Sequence, residues 1–195
     1  MPTGRGYQRV VLSREWRKNA RMVESAYFAT GCFWGAERRF WQIPGVIDTC
    51  VGYMGGTRPN PNYDQVCTGV TGHAEMVQIS FEPSQISYQR LLEEFWTMHD
   101  PTTWNSQGND IGSQYRSAIF TTTPDQFLEA NSSRDEYQVA IAAAGYGEIV
   151  TEILPAQGHT FWMAEEYHQK YLAKNPNGYD CHSSTGVLYP KVSHE

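Results

Sequence analysis

The sequence predicts an α+β fold: a mixed sheet with packed helices, a ferredoxin-like split βαβ core and a coil-rich C-terminal tail. Three observations lead there. Runs with two-residue and helical periodicity follow one another as β-α-β, β-α-β and then α-β-α. Two βαβ-like units in succession suggest the split βαβ arrangement. No internal repeat, low-complexity tract or linker divides the 195 residues, a length one core can serve.

Each element has its own signal. ESAYFAT (24–30) reads as a short strand ending at the Thr30-Gly31 turn. WGAERRFWQIPG (34–45) reads as a helix of about two turns, closed by Pro44-Gly45. VIDTCVGYMGG (46–56) is a β-branched run stopped by two glycines, a second strand. TRPNPNYDQVCTGVTGH (57–73) has no periodicity and reads as a long irregular loop, a segment of the kind that carries function. In AEMVQISFEP (74–83), Glu75, Val77, Ile79 and Phe81 alternate onto one face of a strand. SYQRLLEEFWTMHD (87–100) places Leu91, Leu92, Phe95 and His99 at helical spacing, and YRSAIFTT (115–122) is a strand. Thr123 to Gln126 form a capping box with proline at the first helical position. That box opens the longest helix, through about Ala143. EIVTEIL (148–154) reads as a further strand and WMAEEYHQKYLAK (162–174) as a last helix.

Composition and charge exclude several classes. The net charge is -6, yet residues 1–24 hold six basic side chains against two acidic ones, leaving about -10 on the remainder. An acidic body is a poor phosphate partner, so no nucleic acid is expected. The first residues lack an apolar h-region and an A-x-A-like site, and no run of eighteen apolar residues exists. The expectation is no membrane and a cytoplasmic setting. Cysteines at 32, 50, 67 and 181 form no C-x-x-C pair, and the histidines form no i,i+4 pair, so no metal site is expected. G-x-S-x-G, Walker A and G-x-G-x-x-G patterns are absent, so no phosphate or dinucleotide cofactor is expected. Residues 1–24 read as a basic extension, 25–175 as the α+β domain and 176–195 as a C-terminal segment.

Two side chains are out of place for a plain core. Cys32 lies between a strand end and a helix start, flanked by Gly31 and Gly35 and followed by Phe33 and Trp34. It is either a buried cysteine in a tight turn or a thiol at a helix mouth. The helix end favours the thiolate by about 0.3–1 kcal/mol. From a pKa near 8.5 that does not ionise it by itself, so a partner or the substrate must contribute. Glu75 shares a face with Val77, Ile79 and Phe81. It is either a solvated strand end or a carboxylic acid kept neutral by desolvation, ready to donate a proton. Tyr63, Tyr115 and Asp110 sit in loops rich in glycine, asparagine and glutamine, where packing or turn formation explains them as well as chemistry does. His168 reads as a core or surface histidine, Cys50 as strand filler and Cys67 as loop packing.

Taken together, GCFWGAE, VGYMGG, YDQVCTGVTGHAEMV, HDPTTWNSQGNDIGSQYRSAIF, AEEYHQKYL and NPNGYDCH resemble the A-type peptide-methionine sulfoxide reductases over residues 27–182. The resemblance implies reduction of the S epimer of methionine sulfoxide, free or in peptides and proteins, without a cofactor. It implies Cys32 as nucleophile, Phe33 and Trp34 as a wall for the substrate's methyl group, and Glu75 as the acid. It further implies Tyr63 and Tyr115 as hydroxyls for the oxygen, Asp110 in the polar network, and Cys181 as the resolving cysteine. A Cys32–Cys181 disulfide and recycling by a thioredoxin-like reductant follow from it, with a monomer expected. Some members carry a further cysteine near the C-terminus, and none follows Cys181 here. NPNG and SSTG, on either side of Cys181, should keep it on a mobile stretch.

Overall fold

The computed structural model describes residues 22–180 and 183–190. Six strands form one mixed sheet: β1 (Glu24–Thr30), β2 (Val46–Met54), β3 (Ala74–Phe81), β6 (Ser117–Thr121), β7 (Glu152–Pro155) and β8 (Trp162–Met163), in the order β7-β6-β1-β3-β2-β8. The middle four pair antiparallel, with Phe28 opposite Val77, Phe28 opposite Ile119 and Tyr53 opposite Glu75. Helix α1 (Phe33–Trp41) joins β1 to β2, and α3 (Tyr88–Met98) joins β3 to β6. Two βαβ units interleaved in this way are the ferredoxin-like core the sequence predicts. Strand β7 adds in parallel beside β6, and β8 antiparallel beside β2.

The period-2 alternation decides which side is buried against helices. Phe28, Val51, Tyr53, Val77, Ile79 and Ile119 meet Phe33 and Phe40 of α1, Leu92, Phe95 and Trp96 of α3, and Tyr137 and Ile141 of α4 (Pro124–Ala143) in one core. Ala29, Met54, Met76 and Phe120 pack on the other face, under Phe161 and Leu154. Thr123 caps α4 by accepting from the Gln126 N–H at 3.1 Å, with Pro124 in the first turn. The Gln126 amide oxygen accepts from the Thr122 N–H at 3.0 Å, one residue before the position the capping box implies.

Four expectations need correction. The 57–73 loop contains a one-turn helix, α2 (Tyr63–Cys67), made stable by a full capping box between Asn62 and Gln65. Ahead of β6 lie a two-residue hairpin, β4 (Ser106–Gln107) and β5 (Asp110–Ile111), and a tight turn at Ser113–Tyr115, so that strand starts at 117. Strand β7 starts at 152 because the N–H groups of Ile149 and Val150 bond to the Gln138 side chain and the Pro101 carbonyl instead of a neighbouring strand. The expected last helix shrinks to α5 (Tyr171–Lys174), behind a turning segment at 164–170. That segment is bound sideways to β2. The Ala164 N–H donates to the Val51 carbonyl, and the Gln169 side chain accepts from the Val51 N–H and donates to the same residue's carbonyl, both at 2.9 Å.

Residues 183–190 have no regular structure but are fastened. Ser184 donates to the Thr97 carbonyl at 2.8 Å, and Tyr137 and Tyr146 donate to the Val187 and Thr185 carbonyls at 2.8 and 3.0 Å.

Candidate active site

The end of β1 turns into α1 through Gly31, whose φ of +96° disfavours any side chain. A Cβ there would stand 2.6 Å from Gln107 Cγ, so the close approach also demands glycine. This turn delivers Cys32 to the N-cap position of α1, 8% exposed. The next residue, Phe33, donates its N–H to Glu75 Oε2 at 3.1 Å. The carboxyl group of β3 therefore lies against the first turn of the helix that Cys32 begins.

Glu75 is not a solvated strand end: it is 2% exposed, on the helix-covered face that the alternation assigns to it. Burial pushes its pKa from 4.5 up to about 8; the Phe33 N–H opposes this, and the charge of Asp110 adds to it. At neutral pH the group is mostly a neutral acid with a proton to give.

The two tyrosines and Asp110 come to the same place. Tyr63 opens α2, and its N–H donates to Glu165 Oε1 at 2.8 Å. Tyr115 closes the turn at 113–115. Burial raises the pKa of both phenols, so they stay protonated donors. Asp110 accepts from the Tyr179 hydroxyl at 3.1 Å, while its Oδ2 is buried with no donor among the described residues.

Phe33 and Trp34 form part of an aromatic group that centres on His168. Phe33 lies 5.1 Å, Trp34 5.7 Å and Tyr63 4.6 Å from that ring, centroid to centroid. Trp34 stacks on Tyr171 at 3.9 Å and 18°, and its Nε1–H donates to His168 Nδ1 at 3.1 Å. Burial lowers the pKa of His168, which keeps the ring neutral and Nδ1 free of a proton to accept this bond. Glu165 completes the frame by accepting from the Tyr53 hydroxyl at 2.8 Å as well as from Tyr63.

Sequence reading missed His168, Glu165 and Tyr171 as parts of this arrangement. Their signal is the run AEEYHQKYL itself, which carries polar residues where a packed helix would present an apolar stripe. Cys67 closes helix α2 and is exposed. Cys50 lies elsewhere, its thiol donating to Gln78 at 3.4 Å and pushed up to about 11 by burial. Cys181 is outside the described residues; Asp180 before it pairs with Arg38 of α1. A surface hollow of about 690 Å³, lined by Arg38, Arg39, Arg90 and Glu94, contains none of the catalytic candidates above. Among the described residues no cluster of three His, Cys, Asp or Glu side chains could hold a metal ion, and no helix is long and apolar enough to cross a membrane.

A thiol at a helix mouth, a neutral carboxylic acid against the same turn, two phenols and an aromatic wall suit a small substrate with one polar oxygen and one apolar group. Comparison with known proteins agrees. The model of the family described as peptide methionine sulfoxide reductase matches residues 24–194. Peptide methionine sulfoxide reductase MsrA 1 of Synechocystis is 56% identical over 168 residues, 86% of this chain and 75% of that protein. Methionine sulfoxide reductase A of Corynebacterium diphtheriae superposes with a TM-score of 0.80 at 44% identity, covering 89% of this chain and 86% of that one. Reduced Mxr1 of Saccharomyces cerevisiae superposes at 0.76 and 36% identity, covering 88% and 95%. Mxr1 has also been solved in complex with Trx2, where the likeness, 0.54 at 22% identity, is one of fold.

Proposed function

The chain belongs to the peptide methionine sulfoxide reductase family, and on that premise we propose that Cys32 reduces the S epimer of methionine sulfoxide, in proteins or free, with Glu75 as the acid. The observation that carries this reading is the Phe33 N–H bond to a buried Glu75, which ties a proton-bearing carboxyl to the helix turn next to the thiol.

The chemistry follows from the substrate. A sulfoxide is pyramidal at sulfur, with a small methyl on one side and a strongly polar oxygen on the other. Phe33 and Trp34 receive the methyl group, and the Tyr63 and Tyr115 hydroxyls bond the oxygen, with Asp110 in the surrounding polar network. The sulfur becomes electrophilic when the oxygen takes a proton from Glu75, a contribution of about 10²–10⁴-fold. Cys32 then supplies an electron pair and the substrate S–O bond breaks. The substrate leaves as the thioether methionine, and the oxygen remains on Cys32 as a sulfenic acid.

In this reading Cys181 attacks the sulfenic acid, forming the Cys32–Cys181 disulfide and releasing water. A thioredoxin-like dithiol reopens the disulfide by exchange. Support for such a partner is the solved complex of Mxr1 with Trx2. The cycle repairs oxidised methionine and belongs in the cytoplasm, where dithiol reductants keep thiols reduced. The protein is taken to act as a monomer without nucleic acid or membrane, with residues 25–175 catalytic, 176–195 carrying the resolving thiol and 1–24 an accessory basic extension. Cys32→Ser, supplied with excess dithiothreitol and a methionine sulfoxide peptide, is expected to form no methionine. Appreciable turnover in that variant sinks the proposal.

A further inference from the structure

Helix α1 carries an acidic side chain, Glu37, that the reaction does not use. Glu37 is 0% exposed, three residues after Trp34 and so on the same helical face. Its Oε2 accepts from the Lys170 backbone N–H at 2.8 Å; its Oε1 accepts from the Thr49 hydroxyl at 3.2 Å and lies 3.4 Å from Lys170 Nζ. Lys170 is held at a φ of +50°, a left-handed conformation unusual for a residue with a side chain. It sits one residue before Tyr171, which stacks on Trp34, and two after His168, which accepts the Trp34 N–H. The Lys170 ammonium also donates to the Thr49 carbonyl at 2.7 Å and lies 3.2 Å from Asp48, on β2.

A carboxyl group buried this fully is costly unless its partners are well placed. Here the partners belong to β2 and to the turning segment at 164–170, and the bond at 2.8 Å reaches backbone. We propose that Glu37 is a positioning residue for the methyl wall: it fixes the backbone that bears His168 and Tyr171 against α1, and thereby sets the plane of Trp34 and the preference for a methyl group on the substrate sulfur. This rests on Cys32 as the attacking thiol and Trp34 as the wall. Trp34 and Glu37 are then two fastenings of α1 to one segment, one made to its rings and the other to its chain. A shift of the chain moves both rings together, and small displacements of a positioning group are enough to lose rate.

The test compares methionine sulfoxide with its S-ethyl analogue in wild type and Glu37→Gln, which keeps the side chain's size. The expected result is a fall in kcat/KM for the methyl substrate of about ten-fold, carried mostly by KM. For the ethyl substrate the fall is roughly three-fold or less, so methyl-over-ethyl discrimination narrows. The rate of Cys32 alkylation by iodoacetamide stays near wild type. Should Glu37→Gln fail to fold, Thr49→Val withdraws one donor from the same carboxylate and is expected to narrow discrimination to a smaller degree. Folded variants with wild-type discrimination, or with both substrates falling in proportion, overturn the role of Glu37 alone. A wild-type protein that consumes neither sulfoxide overturns the proposed reaction instead.

Discussion

Replacing Glu75 by glutamine should separate activity from stability in opposite directions. The amide keeps the size of the side chain and can still accept the Phe33 N–H, which bonds Glu75 at 3.1 Å. What it loses is the proton. With a pKa raised from 4.5 to about 8, wild-type Glu75 is protonated in about nine molecules of ten at pH 7 and in about one of ten at pH 9. Single-turnover methionine formation in the variant should therefore fall by about 10²–10⁴-fold. The stability effect has the other sign. A carboxyl whose folded pKa lies above its unfolded one binds the extra proton in the native state, so the protein loses stability as pH rises through that interval. The gap between 4.5 and about 8 amounts to about 3 kcal/mol lost at pH 7 and about 5 at pH 9, against about 1 at pH 5. Glu75→Gln does not titrate. Its urea-unfolding stability relative to wild type should thus improve by about 4 kcal/mol between pH 5 and pH 9. Turnover within ten-fold of wild type, or a stability difference that does not move with pH, refutes the neutral, proton-donating Glu75.

Other consequences are smaller. Gly31→Ala places a Cβ at 2.6 Å from Gln107 Cγ on a backbone at φ +96°, and should cost about 2–3 kcal/mol in a urea titration; Gln107→Ala beside it should recover little, because the Gln107 Cβ, 2.7 Å away, remains. Tyr63→Phe and Tyr115→Phe each remove a hydroxyl held as a protonated donor near Glu75. Each should lower kcat/KM about ten-fold with little change in thermal midpoint, as for one hydrogen bond made to the reacting oxygen. Cys181→Ser should still form methionine once per molecule from the reduced protein, and should lose turnover when a thioredoxin-like dithiol is the reductant; undiminished turnover with that dithiol contradicts the assigned resolving step.

Much of this was readable in the chain because it follows from local rules. Alternation along 74–81 puts Glu75 on the same face as Val77 and Ile79, which the sheet then buries. Glycine before Cys32 and a helical run after it place the thiol at a helix mouth. The longer strands and helices have enough residues to express a period. Helix α2 has five residues and the hairpin strands two each, too few for any periodicity to register. The 164–170 segment is hidden for a different reason. Gln169 satisfies the backbone of Val51, 118 residues away, and Glu165 reaches Tyr63, 102 residues away. Bonds between a side chain and a distant backbone leave no trace in local spacing, so His168 and Tyr171 looked like parts of an ordinary terminal helix. Their role behind Trp34 emerges only when the sheet brings β2 and α1 together.

A single turnover without reductant tests the Cys32–Cys181 reaction most directly. Pre-reduced protein is mixed with an excess of a peptide carrying racemic methionine sulfoxide, and the products and the protein are followed by chiral chromatography and mass spectrometry. One methionine per protein molecule is expected, drawn from the S epimer alone, with the protein lighter by two hydrogens and Cys32 bonded to Cys181. Loss of both epimers equally, no methionine, or a disulfide from Cys32 to Cys67 or Cys50 contradicts it.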